Sequence, residues 1–338
     1  MTQENNSDTS ILKTIVQSLV WIWVTLSKLI GSLFLVILIL VVVVGVLISN
    51  QQQALDQFQS QVINQAGSEQ VAVVELNGEI VSYAEQGLLS FDPFVITPSR
   101  TQQLFKQLEQ EPAVKAVLLK VNSPGGSVVA SEEIYQQIKQ LSQAKPVVAY
   151  MVDAAASGGY YILAPATKIV ANQATITGSV GVIAFSPDVS GLYEKLGVTV
   201  NTYKTGQYKD MGSPHRPETD AEREIYQQVL TDSFDLFIKR IKQERDISSQ
   251  NLELISDGRI FSGLRAKELG LVDQVGSSVD ALNLAIELSG TADPSVVKYN
   301  FGRGVFTGLI SSKLNSWSLI SPASLMPERR GAYFLWQQ

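Results

Sequence analysis

PVVAYMVDAAASGGYYILAPA, residues 146–166, joins a strand pattern to a helix pattern through a run of small residues. The apolar run up to Val152 predicts a buried strand, and Ser157 follows three alanines at the expected turn into a helix. The N–H groups at a helix N-terminus favour developing negative charge, and the two following glycines allow another backbone to come close. The segment therefore suits a nucleophilic serine. The alternative is a small-residue helix start that serves packing alone.

The residue types that the sequence lacks exclude several kinds of site. The chain has no cysteine and a single histidine, His215. Thiol catalysis, disulfides, cysteine-based zinc sites and a histidine-rich metal cluster are therefore excluded. A hydrolase with a Ser-His-Asp triad would have to use His215. The net charge of −6 argues against a nucleic-acid-binding protein, which needs a basic surface.

The N-terminal region predicts a membrane anchor. Residues 29–49 contain no charge, and their number matches the ~20 apolar residues of a membrane-spanning helix. A cleaved signal peptide is the alternative, although this run exceeds the usual apolar core of ~7–15 residues. Lys13 and Lys28 precede the run, and no further Lys or Arg occurs before Arg100. This bias predicts a single pass with the N-terminus in the cytoplasm and the main body outside.

Changes in composition predict five segments. They are a cytoplasmic N-terminal segment, a transmembrane helix, a polar stalk, one large domain and a C-terminal tail, at residues 1–28, 29–49, 50–69, 70–290 and 291–338. The glutamine-rich stalk is compatible with a short helix and with a flexible spacer. The tail contains no pattern that predicts a firm structure.

Strand and helix patterns alternate through the large domain. Runs rich in branched apolar residues predict strands at VAVVEL, KAVLLKV, KPVVAYMV, TKIVANQ and VTVNTY. Helical spacing of apolar residues follows in SRTQQLFKQLEQ and SVVASEEIYQQIKQLSQ. Strands separated by helices predict βαβ crossovers and a largely parallel sheet, and hence an α/β fold. A long amphipathic helix is predicted over residues 220–246, with a role in packing or in an oligomer contact.

Two glycine-containing motifs accompany the serine. VNSPGGSV, residues 121–128, places Gly126 between a predicted strand and a predicted helix. Glycines at such a point let backbone N–H groups face a cleft, as an oxyanion hole requires, although Pro-Gly-Gly also forms ordinary turns. TGSVGVI, residues 177–183, contains Ser179, a second serine flanked by glycines. Such a motif is more often an ordinary turn than part of a catalytic site.

A polar loop follows in YKTGQYKDMGSPHRP, residues 203–217. It carries Lys204, Lys209 and His215. A lysine in a polar loop is usually solvated, so the loop alone assigns a function to none of the three.

In this order, the motifs SPGG, AASGGYY, TGSVGV and YKD-GSP resemble the signal peptide peptidase A family, also called protease IV, in its short single-module form. DGRIFSGLRAKELGLVDQVG, residues 257–276, extends the resemblance, which covers about residues 70–290. It implies a fold related to the crotonases and the Clp protease, a Ser-Lys dyad without metal or cofactor, and a homo-oligomeric ring. The implied substrates are remnant signal peptides and other unfolded peptides at the outer face of the bacterial cytoplasmic membrane.

The resemblance also assigns roles position by position. Ser157 matches the nucleophile and Lys209 matches the general base. Gly126 and Gly158 match the residues whose amides form the oxyanion hole, and Ser179 matches the serine that hydrogen-bonds the lysine. A lysine acts as a base near neutral pH when burial lowers its pKa from ~10.4 to ~7–8, so an enclosed Lys209 is expected.

Two other classes of function remain as alternatives. A crotonase-type acyl-CoA enzyme would share the fold and the glycine-rich oxyanion hole, but it would not need Ser157 with Lys209. An anchor with the body outside would also separate such an enzyme from cytoplasmic CoA. A non-catalytic membrane scaffold would need neither the two side chains nor the glycines.

Overall fold

The computed structural model describes residues 59–83 and 95–300, and in the N-terminal region residues 19, 21, 23, 25–32, 34–39 and 42. The chain divides into two compact units, Met1–Gln57 and Phe58–Gln338. The described residues of the first unit are helical. No helix formed by the described residues is long and apolar enough to cross a bilayer. The start of the expected cytoplasmic segment, the end of the expected span and the tail from residue 301 onward lie outside the described residues.

The second unit contains eleven strands among its described residues. They are β1 (Gln59–Asn64), β2 (Gln70–Asn77), β3 (Glu79–Ile80), β4 (Val95–Ile96), β5 (Val114–Ser123), β6 (Val147–Ala156), β7 (Lys168–Ala171), β8 (Ile176–Gly178), β9 (Ile260–Ser262), β10 (Gln274–Val275) and β11 (Ser295–Asn300). Nine of them form one sheet in the order β1–β11–β2–β5–β6–β7–β10, while β8 pairs with β6 and with β9. The β1–β11 and β8–β9 pairs are antiparallel, and the other pairs of this sheet are parallel. The predicted α/β fold is confirmed, with a mixed sheet.

In the part of this unit that the structure describes, eight helices connect or cover the strands. They are α1 (Pro98–Gln110), α2 (Val128–Ala144), α3 (Gly158–Tyr161), α4 (Ser190–Lys195), α5 (Asp220–Glu244), α6 (Ser249–Ile255), α7 (Gly263–Glu268) and α8 (Ser278–Leu288). Local sequence explains several of their starts. Pro98 occupies the first turn of α1, where its missing N–H costs no hydrogen bond. Thr219 and Glu222 form a capping box at the start of α5.

Side chains of the central strands alternate between two apolar cores, one on each face of the sheet. Val71, Val73, Leu118 and Val148 belong to the smaller core, together with Ala281 and Ala285 of α8. Their neighbours Ala72, Val74, Leu119 and Val147 belong to the larger core, with residues of α1, α2 and α5. Because both faces are covered, these strands consist of nearly continuous apolar residues, as is typical of parallel sheets. Packing on both faces of the sheet therefore fixes the position at which β6 ends.

Two regions differ from the sequence-based expectation. The sheet extends beyond residues 70–290, since β1 lies where a helical stalk or a spacer was expected and β11 lies where no structure was assigned. The strand predicted at VTVNTY, residues 198–203, is wrong, because these residues form neither strand nor helix. Val198 and Val200 are exposed, and a strand requires a neighbour that pairs with its backbone groups.

Candidate active site

Ser157 occupies a strained turn between β6 and α3. Its backbone angles are φ 53° and ψ −120°, a conformation that non-glycine residues seldom adopt. Strained turns of this kind cost about 1–3 kcal/mol and occur preferentially at functional sites. Its carbonyl oxygen accepts hydrogen bonds from the amides of Tyr160 and Tyr161, which start the helix. The side chain is 2% exposed and lines a cavity, so the turn presents a hydroxyl to a sheltered space.

Gly126 and Gly158 lie next to each other beside this turn. A Cβ built on Gly158 would be 3.3 Å from the backbone nitrogen of Gly126. Gly126 has φ 152°, and a Cβ there would be 2.0 Å from the carbonyl oxygen of Ile80, so glycine is required. Among the hydrogen bonds of the described residues, none uses the amide of Gly126 or of Gly158 as donor. Two neighbouring donors without acceptors provide what an oxyanion hole needs.

Ser179 lines the same cavity as Ser157, in a space of about 400 Å³. It also has a positive φ, of 52°, and its amide donates to the carbonyl oxygen of Arg259. Successive turns of α5 also line this cavity, through Gln227, Leu230, Thr231 and Phe234. The other lining residues described are Val180, Gly181, Val182, Ile183, Ser256, Asp257 and Gly258. The helix predicted to serve packing or an oligomer contact thus borders the candidate site.

Lys209 lies elsewhere on the described surface. It is exposed, on a turn in which its amide donates to the carbonyl oxygen of Gly206 at 3.2 Å. It is not among the described residues that line the serine cavity. His215 is also exposed and is absent from that lining, and its ring centre lies 5.1 Å from that of Tyr193. Of the predicted site residues, Ser157 and Ser179 thus line the cavity and Gly126 lies beside Gly158 at the Ser157 turn, whereas neither candidate base is among the lining residues described.

A polar network behind the nucleophile turn was missed by sequence reasoning. Tyr161 of α3 donates its hydroxyl hydrogen bond to Glu132 of α2. Arg240 of α5 pairs with the same carboxylate, with its Nε 3.2 Å from Glu132 Oε2. Burial and the hydrogen bond to Glu132 raise the pKa of Tyr161, so the phenol stays protonated. Helical spacing predicts the three helices, but no local signal indicates that these residues meet.

Among the described residues, no group of three or more His, Asp or Glu side chains is arranged to hold a metal ion. The cysteine-free sequence had already excluded thiolate sites. The groups that this site offers for attack on a carbonyl and for binding an oxyanion are the Ser157 hydroxyl and the backbone amides of Gly126 and Gly158.

Comparisons with known proteins show which proteins the chain is similar to. The model described as Peptidase family S49 matches residues 139–291, and the model described as Clp protease matches residues 96–176. A Methanocaldococcus jannaschii protein named as protease MJ0651 is 37% identical over 81% of this chain and 89% of its own length. A protein of Enterococcus faecium named for signal peptide peptidase SppA is 36% identical over 75% of this chain and 73% of its own.

A longer relative and a solved structure also match. Protease 4 of Haemophilus influenzae is 34% identical over 58% of this chain, which spans about a third (32%) of that protein's length. The solved structure of the 1510-N membrane-bound stomatin-specific protease aligns with 64% of this chain and 80% of that chain, at 21% identity and a TM-score of 0.40.

Proposed function

The chain belongs to peptidase family S49, and we propose that it is a serine endopeptidase in which Ser157 is the nucleophile and Lys209 the general base. The observation that carries this proposal is the strained Ser157 turn beside two amides that donate no hydrogen bond to any residue that the structure describes. A scaffold protein would gain nothing from such strain, whereas a nucleophile needs its hydroxyl held at a fixed position.

The proposed reaction follows from these groups. Neutral Lys209 removes the proton of the Ser157 hydroxyl as Oγ attacks the carbonyl carbon of the scissile peptide bond. The amides of Gly126 and Gly158 stabilise the tetrahedral oxyanion, and the lysine then delivers the proton to the leaving amine. A water molecule, deprotonated by the same amine, then attacks the ester carbonyl, the bond to Ser157 Oγ breaks, and the lysine returns the proton to that oxygen. Ser179 would orient the lysine through a hydrogen bond.

The exposed position of Lys209 in the single chain supports a dyad assembled between copies. A lysine base requires enclosure that disfavours the ammonium form, and the exposed turn supplies none. The segment before this turn presents apolar side chains to solvent, with Phe185 63% exposed and Tyr203 94% exposed. We therefore place the dyad in a homo-oligomeric ring, where a neighbouring copy covers these side chains and completes the site.

The proposed substrates are remnant signal peptides and other unfolded chains. Val182, Leu230 and Phe234 give the serine cavity an apolar wall that suits an apolar side chain. The uncharged run of residues 29–49 supports a single-pass anchor in the bacterial cytoplasmic membrane, with the N-terminus in the cytoplasm and the catalytic domain outside. Protease added to intact spheroplasts should then degrade the domain, and full protection would reverse the topology.

A serine-reactive fluorophosphonate probe and an unfolded peptide substrate test the reaction together. Wild-type protein should be labelled at Ser157 and should cleave the peptide, while Ser157→Ala should lose both. Lys209→Ala should be nearly as inactive, because the two residues act as one unit. His215→Ala is the matched control and should retain most of the activity. An inactive His215→Ala beside an active Lys209→Ala would replace the dyad with a histidine base.

The pH dependence of kcat/KM gives a second test of the base. A lysine base acts in its neutral form, so kcat/KM should rise with pH through the pKa of the free enzyme's lysine. The optimum should be neutral to alkaline, and EDTA should have no effect. A profile that peaks below about pH 5 would indicate carboxylates in place of the lysine. Absence of both labelling and cleavage in folded protein would favour an acyl-CoA enzyme or a scaffold.

A further inference from the structure

Arg216 joins the turn that carries Lys209 to the start of helix α5. Its guanidinium binds the carboxylate of Asp210 at two points, from Nε to Oδ2 at 3.0 Å and from Nη2 to Oδ1 at 2.9 Å. Asp210 directly follows Lys209 in the chain. Fixing this carboxylate therefore fixes the backbone within one peptide unit of the proposed base. A two-point arginine–carboxylate contact fixes the relative orientation of the two groups as well as their distance.

The other side of Arg216 is bound to a rigid anchor. Its Nη1 donates to Glu222 Oε2 at 2.9 Å, and its Nη2 pairs with the other oxygen of the same carboxylate. Glu222 is 2% exposed, and its side chain also accepts from the amide of Thr219 at 2.9 Å to close the capping box of α5. The loop is thus attached to the first turn of a 25-residue helix that borders the serine cavity.

The hydrogen bonds of Lys204 and the close approach of Gly212 to α5 also restrict this turn. Lys204 places its ammonium 2.6 Å from Asp210 Oδ1 and 2.9 Å from the carbonyl oxygen of Gln207. Gly212 has φ 77°, and a Cβ there would be 2.3 Å from the hydroxyl oxygen of Tyr226 on α5. A single exposed ion pair contributes little stability, but several charges that share carboxylates form a network with a defined geometry.

We infer that Arg216 is a positioning residue for the peptidase reaction, holding the Lys209 turn at a fixed place relative to α5. This inference rests on the proposed Ser-Lys function. Arg216 touches neither Ser157 nor the cavity among the described contacts, so it acts through the lysine. A positively charged side chain with a planar, two-sided donor surface is needed to bind both carboxylates at once.

The experiment compares Arg216→Ala and Arg216→Lys with Arg223→Ala in the full chain. Arg223 is a matched control, because it lies in the first turn of α5 and pairs with Asp220 at 2.9 Å but does not bind Asp210. Arg216→Ala should lower kcat/KM by about 10–100-fold, and Arg216→Lys should recover part of it, since an ammonium cannot bind both carboxylates in two-point geometry. The rising limb of the pH profile should move to higher pH in Arg216→Ala, because a loosened lysine is less enclosed. Arg223→Ala should match wild type in rate and profile.

A double variant separates positioning from general destabilisation. In a Lys209→Ala background, Arg216→Ala should cause no further loss, because the arginine acts through a lysine that is gone. A further loss of about 10-fold or more, or Arg216→Ala activity equal to that of Arg223→Ala, would overturn the inference. If Arg216→Ala does not fold, Asp210→Asn, which leaves the Arg216–Glu222 contact in place, should give the same pH shift. If wild type is neither labelled by the probe nor active, the proposed function is wrong. If wild type is active but the Arg216 variants do not behave as expected, only the inference about Arg216 is wrong.

Discussion

The backbone N–H of Ser157 donates a 2.8 Å hydrogen bond to the carbonyl oxygen of Gly178. This contact continues the parallel β6–β8 ladder, in which Ala156 lies opposite Gly178, into the turn itself. The strained backbone of Ser157 is therefore held by a neighbouring strand and not by its own preference. Ser179 directly follows Gly178, so the same short strand places the two serines of the cavity.

Gly178→Ala should destabilise the protein and lower the labelling of Ser157. Gly178 has φ 81°, and a Cβ would be 2.6 Å from Phe261 Cδ2 and 3.0 Å from the carbonyl oxygen of Arg259. The backbone strain and the clash together should cost about 2–4 kcal/mol, measured by urea unfolding. Gly197→Ala is the control, because Gly197 has φ 67° but a Cβ there would meet no atom within 4 Å. This control should lose about 1 kcal/mol of unfolding free energy from backbone strain alone. Equal losses in the two variants would show that the clash at Gly178 does not contribute.

Gly158→Ala should impair the oxyanion hole while leaving the nucleophile in place. The Cβ would be 2.6 Å from Ser131 Oγ and 3.3 Å from the nitrogen of Gly126, which forces the two amides apart. Loss of one oxyanion donor typically lowers kcat by about 10²–10³-fold, and the same loss is expected in a steady-state peptide assay. Retention of wild-type kcat would show that these amides do not bind the oxyanion.

Ser131→Ala provides the companion to this variant. Within the part of the chain that the structure describes, Ser131 Oγ is buried and has no hydrogen-bond partner. Removing this hydroxyl should therefore leave stability unchanged or raise it slightly, by up to about 1 kcal/mol in urea unfolding. In the Gly158→Ala background it should recover part of the lost stability, since it removes the nearest atom. A loss above about 2 kcal/mol from Ser131→Ala alone would indicate a partner for the hydroxyl.

Tyr161→Phe and Arg240→Ala should be coupled, because both side chains bind Glu132. Burial alone would raise the pKa of Glu132, but hydrogen bonds from Arg240 and Tyr161 outweigh it and lower that pKa. Tyr161→Phe should cost about 1 kcal/mol and Arg240→Ala about 2–3 kcal/mol in denaturant unfolding. The double variant should depart from the sum by about 0.5–3 kcal/mol. If the two losses of stability were strictly additive, the two contacts with Glu132 would stabilise helix α3 independently.

The loop around Lys209 should lose order in acid. Hydrogen bonds from Arg216 hold the pKa of Asp210 well below its usual range and lower the pKa of Glu222 to about 2. A carboxyl group whose pKa is lowered on folding stabilises the folded state above its unfolded pKa of ~3.9–4.3 and loses that contribution as pH falls through the folded value. Hydrogen exchange of residues 203–217, corrected for intrinsic rates, should be constant above about pH 5 and accelerate progressively below it.

Arg216→Ala and Arg223→Ala supply the controls for this pH effect. Without Arg216, the loop should exchange faster at every pH and depend less on pH, because the largest cause of the lowered pKa of Asp210 and Glu222 is removed, while Lys204 and Thr219 still contribute. Arg223→Ala should keep the wild-type pH dependence. An identical pH dependence in wild type and Arg216→Ala would show that other groups govern the order of the loop.

Local sequence predicted the elements of this fold well where neighbours in the chain decide them. The apolar run before Ser157 predicted β6, and apolar residues at helical spacing predicted α2 and α5. VTVNTY, by contrast, has the composition of a strand but pairs with no strand among the described residues, and β1 lies in a glutamine-rich segment yet pairs with β11. A strand needs backbone partners from elsewhere in the chain, so its own residues do not decide whether it forms.

By itself, the sequence determined the alternation of strands and helices, the small residues around Ser157, and the absence of cysteine chemistry. Each of these depends on residue identity or on periodicity within one element. Only the tertiary structure decided that the amide of Gly126 lies beside Gly158, that Ser179 shares a cavity with Ser157, and that Arg216 joins the Lys209 turn to α5. The first two of these contacts join residues from separate elements, because burial of both sheet faces fixes where the strands end. The third depends on a charged network that fixes the loop against the start of α5.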